Sequence, residues 1–216
     1  MGDTKQLIEQ LSAQVTPVRP LRLQRYAVLL LAAFSLYAVC THCWLEGFRS
    51  DLSLQFQRPL FVTELLLLAA MLVSSVLAAL YAMQPDGAQQ KKHLMRLPYL
   101  PSFAMFALII FQLFMPHDTH MVIQAETTNG HKCTMYIGLS SILPAMLIFW
   151  VLRKGASAMP MQAGALAVIA AVSVSAITLR LSEASDGIMH LLILHYLPTI
   201  FFAGVGALLG RFLLRW

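Results

Sequence analysis

Six predominantly apolar runs of membrane-spanning length dominate this sequence, at about Tyr26–Trp44, Leu60–Met83, Leu97–Met115, Thr134–Leu152, Ala163–Leu181 and Gly187–Phe212. Crossing the ~30 Å hydrocarbon core of a bilayer takes about 20 residues of helix, so each run suffices for one crossing. The runs lack the period-2 alternation of a membrane barrel, and a lone helix satisfies its own backbone hydrogen bonds in lipid. An apolar content of 58% with only 12% charged residues leaves little water-exposed mass for a separate catalytic domain. The expected fold is therefore all-α: an integral membrane bundle of six transmembrane helices. Residues 1–25 form a cytoplasmic N-terminal segment and 26–216 the transmembrane domain.

Charge orients the bundle. With six crossings both termini share one side. Placing that side in the cytoplasm puts eleven of the 15 basic residues inside, among them Lys5, Arg19, Arg22, Arg25, Lys91, Lys92, Arg153 and Arg215. Only Arg49, Arg58, Lys132 and Arg180 fall outside, while the acids Glu46, Asp51, Asp118, Glu126, Glu183 and Asp186 lean outward. This is the positive-inside pattern of short loops. The isoelectric point near 9.3 thus reflects topology. No soluble basic patch with interleaved aromatics is present to bind nucleic acid directly. The first run does not read as a cleavable signal, because a mostly polar stretch precedes it and no small-residue cleavage site closes it.

The N-terminal segment predicts a short amphipathic helix. Asp3 can cap it with Gln6 three positions on, and Leu7, Ile8, Leu11 and Val15 recur at helical spacing before Pro17 and Pro20 end it. So short a helix needs something to dock on. The choices are the inner leaflet, with Arg19, Arg22 and Arg25 near anionic headgroups, or a protein partner. In the last run, Gly206-x-x-x-Gly210 permits close helix approach.

The longest polar interval, Pro116–Thr134, holds His117, His120, His131 and Cys133. A His/Cys metal site is conceivable there, although only the loose His117-x-x-His120 approaches zinc-ligand spacing. Lys132 beside Cys133 would favour a thiolate, making this the best candidate for a reactive thiol. Cys40-Thr41-His42-Cys43 forms a second thiol group at the outer end of the first run. Three-residue spacing on intact helix opposes a disulfide between Cys40 and Cys43. Glu64, one turn into the second run, needs a partner in the membrane, with Arg58, Arg180, His190 and His195 as the choices. A phosphate loop and the H-E-x-x-H pattern are both missing from the sequence, so neither an enzyme nor a bound cofactor is expected.

Several local patterns together resemble one family. Leu7-Ile8 through Pro17-Val18-Arg19, Gly47-Phe48-Arg49-Ser50-Asp51-Leu52, Pro59-Leu60-Phe61 with Glu64, Cys133, and the ending Leu208-Leu209-Gly210-Arg211-Phe212-Leu213-Leu214-Arg215-Trp216 resemble the NrsF-type bacterial membrane proteins. The resemblance implies an anti-sigma factor of the inner membrane. Such a protein holds an extracytoplasmic-function (ECF) sigma factor and releases it on oxidative or metal stress. It implies that Leu7, Ile8, Leu11 and Val15 pack into a sigma-factor groove. It also implies sensing through two outer cysteines, of which the first matches Cys133 and the second falls near Ser182, where the thiol is missing. Cys40 and Cys43 are the remaining redox candidates. Two other classes compete: a membrane thiol oxidoreductase using Cys40 and Cys43, and a proton-coupled transporter using Glu64 and His195 with Pro198 in the last run.

Overall fold

The computed structural model describes residues 2–13, 21–43, 47–85, 92–114, 130–183 and 186–215. These residues form helices and the turns between them, with no strand among them. Among the described residues, six helices are long and apolar enough to cross a membrane: Leu23–Thr41, Pro59–Ala82, His93–Leu113, Lys132–Leu152, Pro160–Ser182 and Leu191–Leu213. They coincide with the six apolar runs to within a few residues. Proline helps start two of them, since Pro59 and Pro160 occupy the first turn, where a missing N–H costs nothing. Ahead of the sixth, Gly187 is extended, with ψ 124°, and the helical turn Ile188–His190 leads directly into Leu191.

The fifth span is the hub of the bundle. In its most apolar window 78% of the residues are buried, against 17–44% in the other spans. Its sequence explains this position. Small residues such as Ala163, Gly164, Ala167, Ala170, Ala171 and Ser175 line a narrow helix that neighbours can approach on every side. It packs most extensively against the sixth, second and fourth spans. Long side chains of the peripheral helices, such as Leu66, Phe103, Phe106, Ile200 and Phe212, point outward, as a lipid-facing surface requires.

The fifth and sixth spans cross at glycines. A Cβ on Gly164 would stand 2.2 Å from the Gly206 carbonyl oxygen, and one on Gly210 would stand 2.1 Å from the Pro160 carbonyl oxygen. The Gly206-x-x-x-Gly210 pattern is thus a packing device, with Gly164 as its counterpart on the facing helix. Gly204, just outside it, has open space where a Cβ would be.

The helix Gly2–Ala13 forms as expected, with Leu7, Ile8 and Leu11 exposed. Val15, Pro17 and Pro20 lie outside the described residues. We expect Gly210→Val to separate the two spans and destabilise the detergent-solubilised protein by about 1–3 kcal/mol, the usual cost of overpacking. Gly204→Ala should be near neutral, and thermal denaturation of the two variants side by side checks this.

Candidate functional site

Two polar constellations occupy the face of the bundle opposite the chain ends. They share the link between the fifth and sixth spans.

The first is an ion-pair network around Arg180. Its guanidinium donates from Nε to Oε1 of Glu64 at 3.0 Å and from a terminal nitrogen to Oε2 at 3.0 Å, a two-pronged bond between side chains that are each 4% exposed. The Tyr196 hydroxyl donates to the same Oε1. A third Arg180 nitrogen reaches Oδ1 of Asp186 at 3.2 Å. Arg49, on the link between the first two spans, donates to Asp51 at 2.7 Å and to Asp186 at 3.0 Å. Gln55 bridges Asp51 and Asp186 with two bonds of 2.9 Å. The Phe61 ring lies beneath both guanidinium groups, 5.8 Å from Arg49 and 5.0 Å from Arg180.

Charge balances within this network: Glu64, Asp51 and Asp186 face Arg49, Arg180 and, at the rim, Arg58 at 3.7 Å from Asp186. Burial on its own would raise the Asp186 carboxyl. The hydrogen bond from Arg49 and the charges of Arg180 and Arg49 outweigh it and hold that group below its ordinary value. Asp51 is likewise held low, chiefly by its hydrogen bonds to Arg49 and Gln55. Of the four partners considered for Glu64, Arg180 is the one that engages it. His190 and His195 turn elsewhere, and Tyr196 joins in unforeseen. Glu64 is therefore not the lone acid that a proton relay would call for.

The second constellation gathers Cys133, Glu183, His190 and His195. The Cys133 thiol donates to Oε1 of Glu183 at 3.1 Å. His190 Nε2 lies 2.8 Å from the same oxygen, and His195 Nε2 lies 3.1 Å from Oε2. Burial tends to raise the Glu183 carboxyl, but the neighbouring His195, the Cys133 hydrogen bond and His190 bring it down to about 2. Glu183 is thus an anion at neutral pH. The sequence suggests that a cation would face Cys133. Lys132 is instead exposed, and the thiol turns inward to a carboxylate.

Helix geometry explains why the two histidines meet. In an α-helix, residues five apart point about 140° away from each other. Here Leu191–Tyr196 is π-helical, and its wider turn brings His190 and His195 to one side, with ring centroids 5.4 Å apart. Pro198 follows that segment and deprives the Leu194 carbonyl of its α-helical donor. Thr134, next to Cys133, donates to that carbonyl at 2.8 Å. The mouth of the fourth span is thereby fastened to the distorted start of the sixth.

His117 and His120 lie outside the described residues, as does the His131 side chain. Cys40 and Cys43 are exposed and unbridged at the end of the first span, outside the cluster around Cys133. Ser182 turns toward His42 rather than Cys133: its hydroxyl lies 3.1 Å from Nδ1 of His42 and donates to the Thr178 carbonyl at 3.1 Å. Its neighbour Glu183 is the residue that meets Cys133. Glu183 and the pairing of His190 with His195 escape sequence reasoning, because nothing in the spacing announces a π-helix.

A family model described as negative regulator of sigma F matches residues 11–216, nearly the whole chain. The chain belongs to the NrsF family. Neither a curated protein nor a solved structure matches it. In this NrsF-family chain the segments that carry the resemblance at Arg49, Asp51 and Glu64 are the ones that build the ion-pair network.

Removing one member of a buried ion pair strands the other charge. Glu64→Ala and Arg180→Ala should each destabilise the protein by about 3–5 kcal/mol, whereas the double variant should lose much less than the sum. Thermal denaturation in detergent across the four proteins checks this.

Proposed function

We propose that this chain is an anti-sigma factor of the bacterial inner membrane that holds an ECF-type sigma factor on its cytoplasmic side. Release follows chemical change at Cys133 on the outer side, under envelope oxidative or metal stress. The observation that carries this reading is the family match over nearly the whole chain, which makes it a negative regulator of a sigma factor. The excess of basic residues on the side of the termini supports a cytoplasmic location for them. The protein acts by binding and catalyses no reaction.

The docking element is the N-terminal helix. Leu7, Ile8 and Leu11 are 54%, 61% and 59% exposed, forming an apolar stripe that the bundle itself leaves uncovered. With Val15 they suit the helix-in-groove mode, in which side chains at helical spacing fill a partner's groove. Deleting residues 2–16 should free the sigma factor while membrane insertion persists. Co-purification of a sigma factor with the truncated protein at the wild-type level would contradict this.

The sensing element is Cys133 in its cluster. A change there alters the contact between the fourth span and the fifth–sixth link. A signal crosses the membrane only if the two bundle arrangements differ in their affinity for the partner inside. Cys133→Ser should therefore preserve repression and abolish stress-induced transcription of sigma-dependent genes. An undiminished response in that variant would remove Cys133 from the pathway.

A further inference from the structure

We infer that Cys133, Glu183, His190 and His195 form a binding site for a thiophilic divalent cation of the Zn²⁺ and Cd²⁺ class. The donor atoms of these four residues all lie within 4.8 Å of one another. A tetrahedral site with zinc-type bond lengths has donor-to-donor edges of about 3.3–3.8 Å, so only small side-chain adjustments are needed to close it.

The histidine nitrogens stand where metal ligands would stand, turned toward the Glu183 carboxylate. His190 and His195 are 5% and 2% exposed, and their Nε2 atoms stand 2.8 and 3.1 Å from Glu183 oxygens. Neither approach has hydrogen-bond alignment. Both ring nitrogens of His190, together with Nε2 of His195, are buried with no hydrogen-bond partner among the described residues. Buried polar atoms are costly to leave unpaired, and a cation held between the rings and the carboxylate supplies what the nitrogens lack.

Charge and donor type select the ion. A thiolate and a carboxylate offer two negative charges and two neutral imidazoles none, so a divalent cation makes the buried assembly neutral at the mouth of the membrane. One sulfur and two imidazole nitrogens favour zinc-like ions over Mg²⁺ and Ca²⁺, which demand oxygen. On binding, the Cys133 S–H bond breaks, the metal–sulfur bond forms, the proton passes to solvent and bound waters leave the ion. Four protein ligands close the site, as in structural rather than catalytic zinc centres.

The ligands come from three segments: the mouth of the fourth span, the link after the fifth and the start of the sixth. Ligation therefore staples these segments together. Glu183 and His190 bracket Asp186, which Arg49 and Arg180 hold in the neighbouring network. The site stands on its own geometry. Its use as a release signal rests on the anti-sigma reading.

The test uses the full chain in phospholipid nanodiscs, stripped with chelator and titrated with Zn²⁺ or Cd²⁺ against a chromophoric competitor. Expected are one ion per chain, one proton released, and an ultraviolet thiolate-to-metal charge-transfer band with Cd²⁺. Cys133→Ser should abolish the band and the proton release. Glu183→Gln and His195→Ala should each weaken Zn²⁺ binding at least ~10-fold. Cys40→Ser with Cys43→Ser should leave affinity and band unchanged. If His195→Ala does not fold, judged by circular dichroism, Cys133→Ser and the milder Glu183→Asp decide. The inference is overturned if folded wild-type protein shows no saturable one-to-one binding. It is equally overturned if folded cluster variants bind as wild type, or if the band survives in Cys133→Ser. Sigma-factor co-purification without metal binding would overturn the site and leave the anti-sigma reading standing. Metal binding that leaves sigma-factor retention unchanged would uphold the site and remove its role in release.

Discussion

The pairing of Arg180 with Glu64 is the constraint on which the distal half of the bundle depends. Both charges sit on membrane-spanning helices, where an unpaired ion is expensive and a paired one must also satisfy its remaining hydrogen-bonding atoms. The structure meets that demand by recruiting from four other places in the chain: Tyr196 onto Glu64, Asp186 onto a further nitrogen of Arg180, and Arg49 and Gln55 onto Asp186. These partners come from the link between the first two spans, the link between the fifth and sixth, and the start of the sixth span. The network is thus less a source of net stability than a device that specifies one arrangement of the helix ends.

The link between the fifth and sixth spans belongs to both polar constellations. Asp186 ties it to the ion-pair network, while Glu183 ties it to Cys133. Glu183, the partner of the thiol, thus lies close in sequence to Asp186, which Arg49 and Arg180 hold. On the opposite side of the bundle, the glycine crossing of the fifth and sixth spans leaves no slack, since backbone meets backbone there. Movement of the link would then pass along packed helices rather than dissipate in a loose core.

Much of this was legible in the sequence, for physical reasons. Span-length apolar runs dictate helices in lipid, Glu64 requires a cation and Arg180 is one of the few available, and Gly206-x-x-x-Gly210 foretells a close crossing. The metal-type cluster was not legible. Spacing arguments assume α-helical periodicity, and under it His190 and His195 point apart. The π-helical turn before Pro198 comes with a tertiary contact that no spacing rule announces, the Thr134 bond to the Leu194 carbonyl. Ser182 misleads in a simpler way: it turns toward His42, and its neighbour Glu183 takes the place beside Cys133.

In the proposed mechanism the outer cluster and the inner docking helix are thermodynamically coupled. Linkage makes such coupling reciprocal, so a metal that weakens sigma-factor binding by some factor must itself bind more weakly, by the same factor, when the sigma factor is present. The most direct measurement is therefore the Zn²⁺ affinity of the nanodisc-embedded protein with and without saturating sigma factor. Coupling predicts weaker Zn²⁺ binding in the complex, typically ~5–150-fold. Equal affinities in the two states would contradict it.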